Sequence, residues 1–132
     1  MNKICLLIVD DHVDVRDALQ VSLSSKPRLE VLTSNADLQS VVETLQTVAP
    51  DVVLFEPKSL SNKGLQTCRT ILASEAQPAV IILTSYHSEK EALVLSELGA
   101  RRYLLKDIDS QRLYEEILQC YTERQEHISS QQ

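Results

Sequence analysis

Glycine is scarce in this 132-residue chain: Gly64 and Gly99 are the only two, and they lie far apart. A P-loop or a dinucleotide fingerprint needs several glycines close together, so cradling of phosphate by a glycine-rich loop is excluded. Tryptophan is absent, and methionine and phenylalanine occur once each. The three cysteines, Cys5, Cys68 and Cys120, are odd in number and widely spaced, with no Cys-x-x-Cys pair. That usage fits a reducing cytoplasm, with the thiols as small apolar fillers on packed elements. Long apolar runs are missing too. The run Ile4 to Val9 is far too short for a membrane span and meets two aspartates at once. No secretory signal is present, so a soluble protein with no membrane partner is expected. Basic charge is also in the minority, 13 Lys and Arg against 19 Asp and Glu for a net charge of −6. With no stretch dominated by Lys and Arg, this chain alone is not expected to bind nucleic acid.

What is present is a soluble composition, 43% hydrophobic and 24% charged, on a chain about one domain long. A chain of this size buries roughly two-thirds of its unfolded surface, so it needs neither disulfide nor metal to support its core. Continuous apolar runs of strand length occur at Ile4 to Val9, Val52 to Phe55, Val80 to Leu83 and Tyr103 to Leu105, with a weaker one at Leu29 to Leu32. Between them lie segments of helical period. Val15, Ala18, Leu19, Ser22 and Leu23 share one face, as do Leu38, Val41, Val42 and Leu45, and Leu65, Cys68 and Leu72. Ala92, Leu95 and Leu98 form a stripe closed by Gly99, a suitable helix C-cap. Leu113, Ile117, Leu118 and Tyr121 mark a last helix, after which residues 123–132 lose apolar patterning and read as a frayed tail or linker stub.

Five continuously apolar strands alternating with five helices imply a parallel sheet covered on both faces, a doubly wound α/β fold. In such sheets the working site lies at the carboxyl ends of the strands, where the strand order reverses. The residues there are Asp10 and Asp11, Glu56, Thr84 and Ser85, and Lys106. Carboxylates, a hydroxyl and an ammonium on one edge suit a hard divalent cation with a phosphoryl group or its mimic.

Leu-Ile-Val-Asp-Asp-His, Leu-Thr-Ser and Gly-Ala-Arg-Arg-Tyr-Leu-Leu-Lys-Asp, spaced as they are, resemble the receiver domain of two-component response regulators over about residues 3 to 121. Glu56 to Thr84 is 28 residues, Thr84 to Lys106 is 22, and Gly64 falls eight after the acceptor position, all close to the family's separations. The Tyr-Leu-Leu-Lys-Asp segment is most similar to receivers attached to LuxR-type helix-turn-helix output domains. The resemblance implies a flavodoxin-like (βα)5 receiver over residues 1–122, a signalling module rather than an enzyme. It implies a histidine kinase or a downstream regulator as protein partner. It also implies Mg2+ held by Asp10, Asp11, the carboxylate at position 56 and the backbone carbonyl of Lys58. Thr84 would hydrogen-bond phosphoryl oxygens, Lys106 would pair with them, and Tyr103 would be a rotamer switch.

Position 56 departs from the pattern. The family phosphorylates an aspartate there, and this chain has Glu56, followed by Pro57 and with Leu60 where the family usually has proline. A displacement of about 1 Å costs of order a hundredfold in a positioned transfer, and an extra methylene is a displacement of that size. Ordinary phosphorylation is therefore expected to be lost and Mg2+ affinity to be weak or absent. The same reach brings the fixed charge of Glu56 toward Lys106 and Thr84, so that Glu56 can stand for a phosphoaspartate, incompletely, with one charge and two oxygens. The competing arrangement has Lys58 draw Glu56 into a local surface pair worth about 0 to 1 kcal/mol.

Asp14 and Asp17 read as helix-surface charges, and His12 as a loop residue beside the site. The run Ala92-Leu93-Val94-Leu95 is apolar around more than one helical face. Leu93 or Val94 must then project outward, either as an isolated exposed side chain or as part of a dimer contact through the fourth helix, fifth strand and fifth helix.

Overall fold

A computed structural model describes residues 2–57 and 62–131, with the side chain of Asn62 excepted. In chain order the elements are β1 (Ile4–Val9), α1 (Val13–Ser24), β2 (Leu29–Ser34), α2 (Leu38–Thr47), β3 (Val52–Phe55), α3 (Asn62–Leu72), β4 (Ala79–Thr84), α4 (Glu89–Leu98), β5 (Arg102–Leu105) and α5 (Ser110–Ser130). The strands form one parallel sheet in the order β2-β1-β3-β4-β5. This is the doubly wound α/β arrangement expected from the alternating pattern.

Strands covered on both faces read as unbroken apolar runs because successive side chains point to opposite layers. Ile4, Leu6 and Ile8 of β1 pack with Leu54 of β3 and Ile81 of β4 against Leu23 of α1 and Leu113, Ile117 and Cys120 of α5. Leu7 and Val9, with Val53, Phe55, Val80 and Ile82, face Val41 of α2, Cys68 and Ile71 of α3 and Leu95 of α4. A one-residue slip in register would exchange these two sets, so the two cores fix the pairing. Side chains cap the helices where the sequence offers a short acceptor. Asp37, Ser88 and Asp109 accept the backbone N–H of Ser40, Glu91 and Arg112. Gly99, at φ 121°, ends α4 with its N–H on the carbonyls of Leu95 and Ser96, a backbone state a residue with a Cβ adopts only with strain.

The tail departs from expectation. α5 does not fray at Glu123 but continues to Ser130. Polar ties, rather than an apolar stripe, hold this part. Arg124 is buried, donating from Nε to the Gln77 carbonyl (3.0 Å), from Nη2 to the Ala76 carbonyl (2.6 Å) and from Nη1 to Asp51 Oδ1 (2.9 Å). Asp51 Oδ2 in turn accepts the Cys5 N–H at 2.8 Å, joining the end of α5 to the amino end of the sheet. Glu123 pairs with Arg102 of β5 at 2.6 Å.

All three cysteines are free thiols, Cys68 and Cys120 fully buried. Burial pushes both of these thiols up to about 11, which suits inert fillers. Among the described residues no helix is long and apolar enough to cross a membrane.

Candidate functional site

The strand order reverses at β1, which has β2 on one side and β3 on the other, so the crossovers diverge and leave a crevice at the carboxyl ends of β1 and β3. Backbone pairing continues one residue past the strands. The Asp10 N–H donates to the Ser34 carbonyl (3.2 Å), the Glu56 N–H to the Val9 carbonyl (3.2 Å) and the Lys106 N–H to the Thr84 carbonyl (2.8 Å). This extension holds the backbones of Asp10, Glu56 and Lys106 in line with the sheet.

Lys106 reaches across the sheet edge from β5. Its ammonium donates to Asp10 Oδ2 at 2.8 Å and to Glu56 Oε2. Both carboxylates are buried, Asp10 3% and Glu56 8% exposed. Buried charges persist when paired and hydrogen-bonded, and here one cation serves two anions. Burial alone would push the Asp10 carboxyl up. The Lys106 ammonium and the His12 backbone N–H outweigh it and hold Asp10 below the usual aspartate range.

His12, expected beside the site, belongs to it. Its backbone N–H donates to Asp10 Oδ1 at 2.8 Å, a turn typical of aspartate two residues before a helix start. That turn brings the imidazole Nδ1 to 3.1 Å from Asp10 Oδ1 and 3.4 Å from Glu56 Oε2. The Asp-x-His order at a strand-to-helix junction is visible in the sequence, and the structure makes His12 the N-cap of α1 with no side-chain cap bond of its own.

The acidic pair divides. Asp11 turns to the segment after β2, where its Oδ1 accepts the Ala36 N–H at 2.7 Å. Among the described residues the group whose ligand atoms lie within 4.8 Å of one another is Asp10, His12 and Glu56, without Asp11. Mg2+ demands a near-octahedral shell of oxygens. A set containing an imidazole, with an ammonium already on both carboxylates, does not fit that ion as the side chains stand. The Lys58 carbonyl and Leu60 lie outside the described residues.

Thr84 and Tyr103 converge on the backbone after β4. Thr84 Oγ1 lies 3.3 Å from both the N–H and the carbonyl of Tyr86, accepting from one and donating to the other. The Tyr103 hydroxyl donates to the same carbonyl and accepts the Ser88 N–H, both at 3.2 Å, while its ring meets the His87 imidazole edge-on. Glu56, His12 and Thr84 line one cleft of about 980 Å³ with Tyr86 and Val94. Asp14 and Asp17 are exposed, as expected. Leu93 projects outward from α4 and is 61% exposed, while Leu95 is buried.

The sequence model of the response regulator receiver domain matches residues 6–118. The chain is 28% identical over 116 residues to the transcriptional regulatory protein DegU of Brevibacillus brevis, covering 88% of this chain and 49% of that protein. It is 32% identical over 114 residues to the transcriptional regulatory protein YdfI of Bacillus subtilis, covering 86% and 52%. The chain thus spans about half the length of the curated relatives it matches. A CheY-like receiver domain protein from Methanospirillum hungatei shares its fold, with a TM-score of 0.80 at 20% identity over 96% of this chain and 99% of that one.

Proposed function

The chain belongs to the response regulator receiver domain family of two-component signalling, and from that premise we propose that it is an atypical receiver whose Glu56 stands in for a phosphorylated aspartate. The observation that carries this reading is the Lys106 ammonium bonded to both Glu56 and Asp10. In a receiver whose acceptor were phosphorylated, that ammonium would face a phosphoryl oxygen. Here it faces a fixed carboxylate oxygen carried one methylene further out. With its carboxylate engaged by Lys106 and carried one methylene further out, Glu56 is poorly placed for in-line transfer. The chain then acts without enzymatic chemistry, by binding a protein partner in the cytoplasm, either a histidine kinase or a downstream regulator. Thr84 and Tyr103 relay the state of the pocket through the Tyr86 backbone they share. Leu93 on α4 favours a face of α4, β5 and α5 for a partner or second copy.

The test is a comparison of amide NMR spectra of wild type, Glu56→Gln and Glu56→Asp, each with and without beryllofluoride and Mg2+. Glu56→Gln should move the resonances of Thr84 to Ser88 and Tyr103 to Lys106, and only Glu56→Asp should respond to beryllofluoride. Unchanged Thr84 to Ser88 shifts in Glu56→Gln, or a beryllofluoride response of the wild type, would refute the mimic.

A second reading, the receiver portion of a LuxR-type transcription regulator still fed by a kinase, is favoured by the names of the relatives and by the half-length match. Phosphodonor with Mg2+ followed by mass spectrometry tests it: a phosphorylated wild-type chain supports this reading against the first.

A further inference from the structure

One face of α1 is left bare to solvent. Asp14, Asp17, Ala18, Val21, Ser24 and Ser25 are exposed on it, opposite the side on which Leu23 enters the core. Val21 is 76% exposed, the most of any valine, leucine or isoleucine described, and at about 100° per residue it falls at the centre of that face. Ala18, Ser24 and Ser25 around it are small, so another helix can approach closely. The charges here are divided along the chain. Asp14 and Asp17 precede Val21, and their carboxylates have no hydrogen-bond or ion-pair partner among the described residues. Lys26 and Arg28 follow it in the turn to β2. A tyrosine of α5 steadies each of them, Lys26 over the Tyr114 ring at 5.8 Å and Arg28 over the Tyr121 ring at 5.6 Å. Their hydrogen bonds go to the Gln111 amide oxygen and the Asn2 carbonyl, and neither has a carboxylate partner among the described residues.

We propose that this face is a dimer interface, in which α1 packs antiparallel on α1 of a second copy across a two-fold axis at Val21. A two-fold contact is self-complementary, so a residue a given number of positions before the axis meets one the same number after it. Asp17 then comes level with Ser25 and Lys26 of the second copy, and Asp14 level with Arg28, each contact being made twice. Every copy carries a net charge of −6, which opposes association except where acid meets base. The face of α4, β5 and α5 offers less of this, because its charges are already paired within the chain. Arg102 pairs with Glu116 (2.8 Å) and Glu123 (2.6 Å), Arg101 with Glu123 (3.7 Å) and Arg112 with Glu116 (3.5 Å). A second copy on α1 leaves Leu93 to a different partner, and the interface does not depend on Glu56 standing for a phosphate.

Sedimentation equilibrium of the folded chain at rising concentration tests the proposal. A monomer–dimer equilibrium is expected, weakened by salt. Asp17→Lys and Lys26→Glu each put two like-charge contacts in place of two attractive ones, and each should weaken association at least about tenfold with an unchanged circular dichroism spectrum. An equimolar mixture of the two variants should recover the dimer, since both contacts between unlike copies again join opposite charges. Leu93→Asp should leave association unchanged. A chain that stays monomeric at about 1 mM, a dimer indifferent to the α1 substitutions, or a dimer that Leu93→Asp abolishes overturns the proposal, as does a mixture no more dimeric than its components.

Discussion

Replacing Lys106 by methionine keeps most of the volume of its stem and removes the one cation shared by Asp10 and Glu56. The ammonium is 13% exposed, and the side chains it serves are 4% and 8% exposed, so the three charges interact with little solvent screening. Removing one partner of a buried pair costs about 3 to 5 kcal/mol, because the charge left behind has lost both water and its counter-ion. The residual exposure of Lys106 places the expected loss near the lower end, about 3 kcal/mol, a fall in Tm of roughly 10 °C for a domain of this length. Two like charges would then face each other, so adding Glu56→Gln to Lys106→Met should restore about 1.5 kcal/mol or more, even though Glu56→Gln alone destabilises. Urea unfolding of wild type, both single variants and the double variant forms a double-mutant cycle that reads this coupling directly. A cost for Lys106→Met below about 1 kcal/mol, or a double variant no more stable than Lys106→Met, would mean that Glu56 can turn out to water and that the three residues are not a unit.

Three further outcomes follow from the contacts described. Tyr103→Phe removes the hydroxyl that holds the Tyr86 carbonyl and the Ser88 N–H, and should cost about 1 kcal/mol while speeding hydrogen exchange selectively at Tyr86 to Ser88. Arg124→Ala opens the ties to Asp51, Ala76 and Gln77 and should cost about 2 to 3 kcal/mol in urea unfolding, with loss of helical signal from the end of α5. The Arg102 guanidinium holds the Glu123 carboxyl below its usual value. Its contribution is therefore present above the ordinary glutamate range and is lost as pH falls through the lower, folded value. Urea unfolding between pH 6 and pH 3 should show a shallower loss of stability in Arg102→Met than in wild type, and equal slopes would argue against the pair.

The parts of the molecule differ in how far they could be read from residue order. Strands were legible because a strand buried on both faces is apolar at every position, as β1 and β3 are and as β4 is up to its last residue; β4 gained only Ala79 and Thr84 at its ends. The site edge was legible for the same reason, since the first polar residue after each run is where the chain leaves the core. The end of α5 was not, because its order rests on Arg124 meeting two carbonyls 47 and 48 residues away, and no helical period records such a partner. His12 is the loop residue beside the site that was expected, but its contact with the carboxylates was not legible, because a single loop histidine carries little weight until the Asp10 turn swings it onto them.

Residue order alone determined the alternation of elements, the two-faced sheet and the set of chemical groups at its carboxyl edge, since local periodicity and strand length suffice for these. Which of those groups touch was decided only in three dimensions. Lys106 and Asp10 are 96 residues apart, and their contact depends on the strand order and on a long side chain crossing the sheet edge. The division of Asp10 from Asp11 is likewise tertiary. Adjacent residues past a strand end diverge, so one carboxylate enters the crevice while its neighbour accepts the Ala36 N–H of another loop. An ionic cluster of this kind has no sequence period of its own, because the interaction is set by the distance and solvent exclusion of groups that the fold alone brings together.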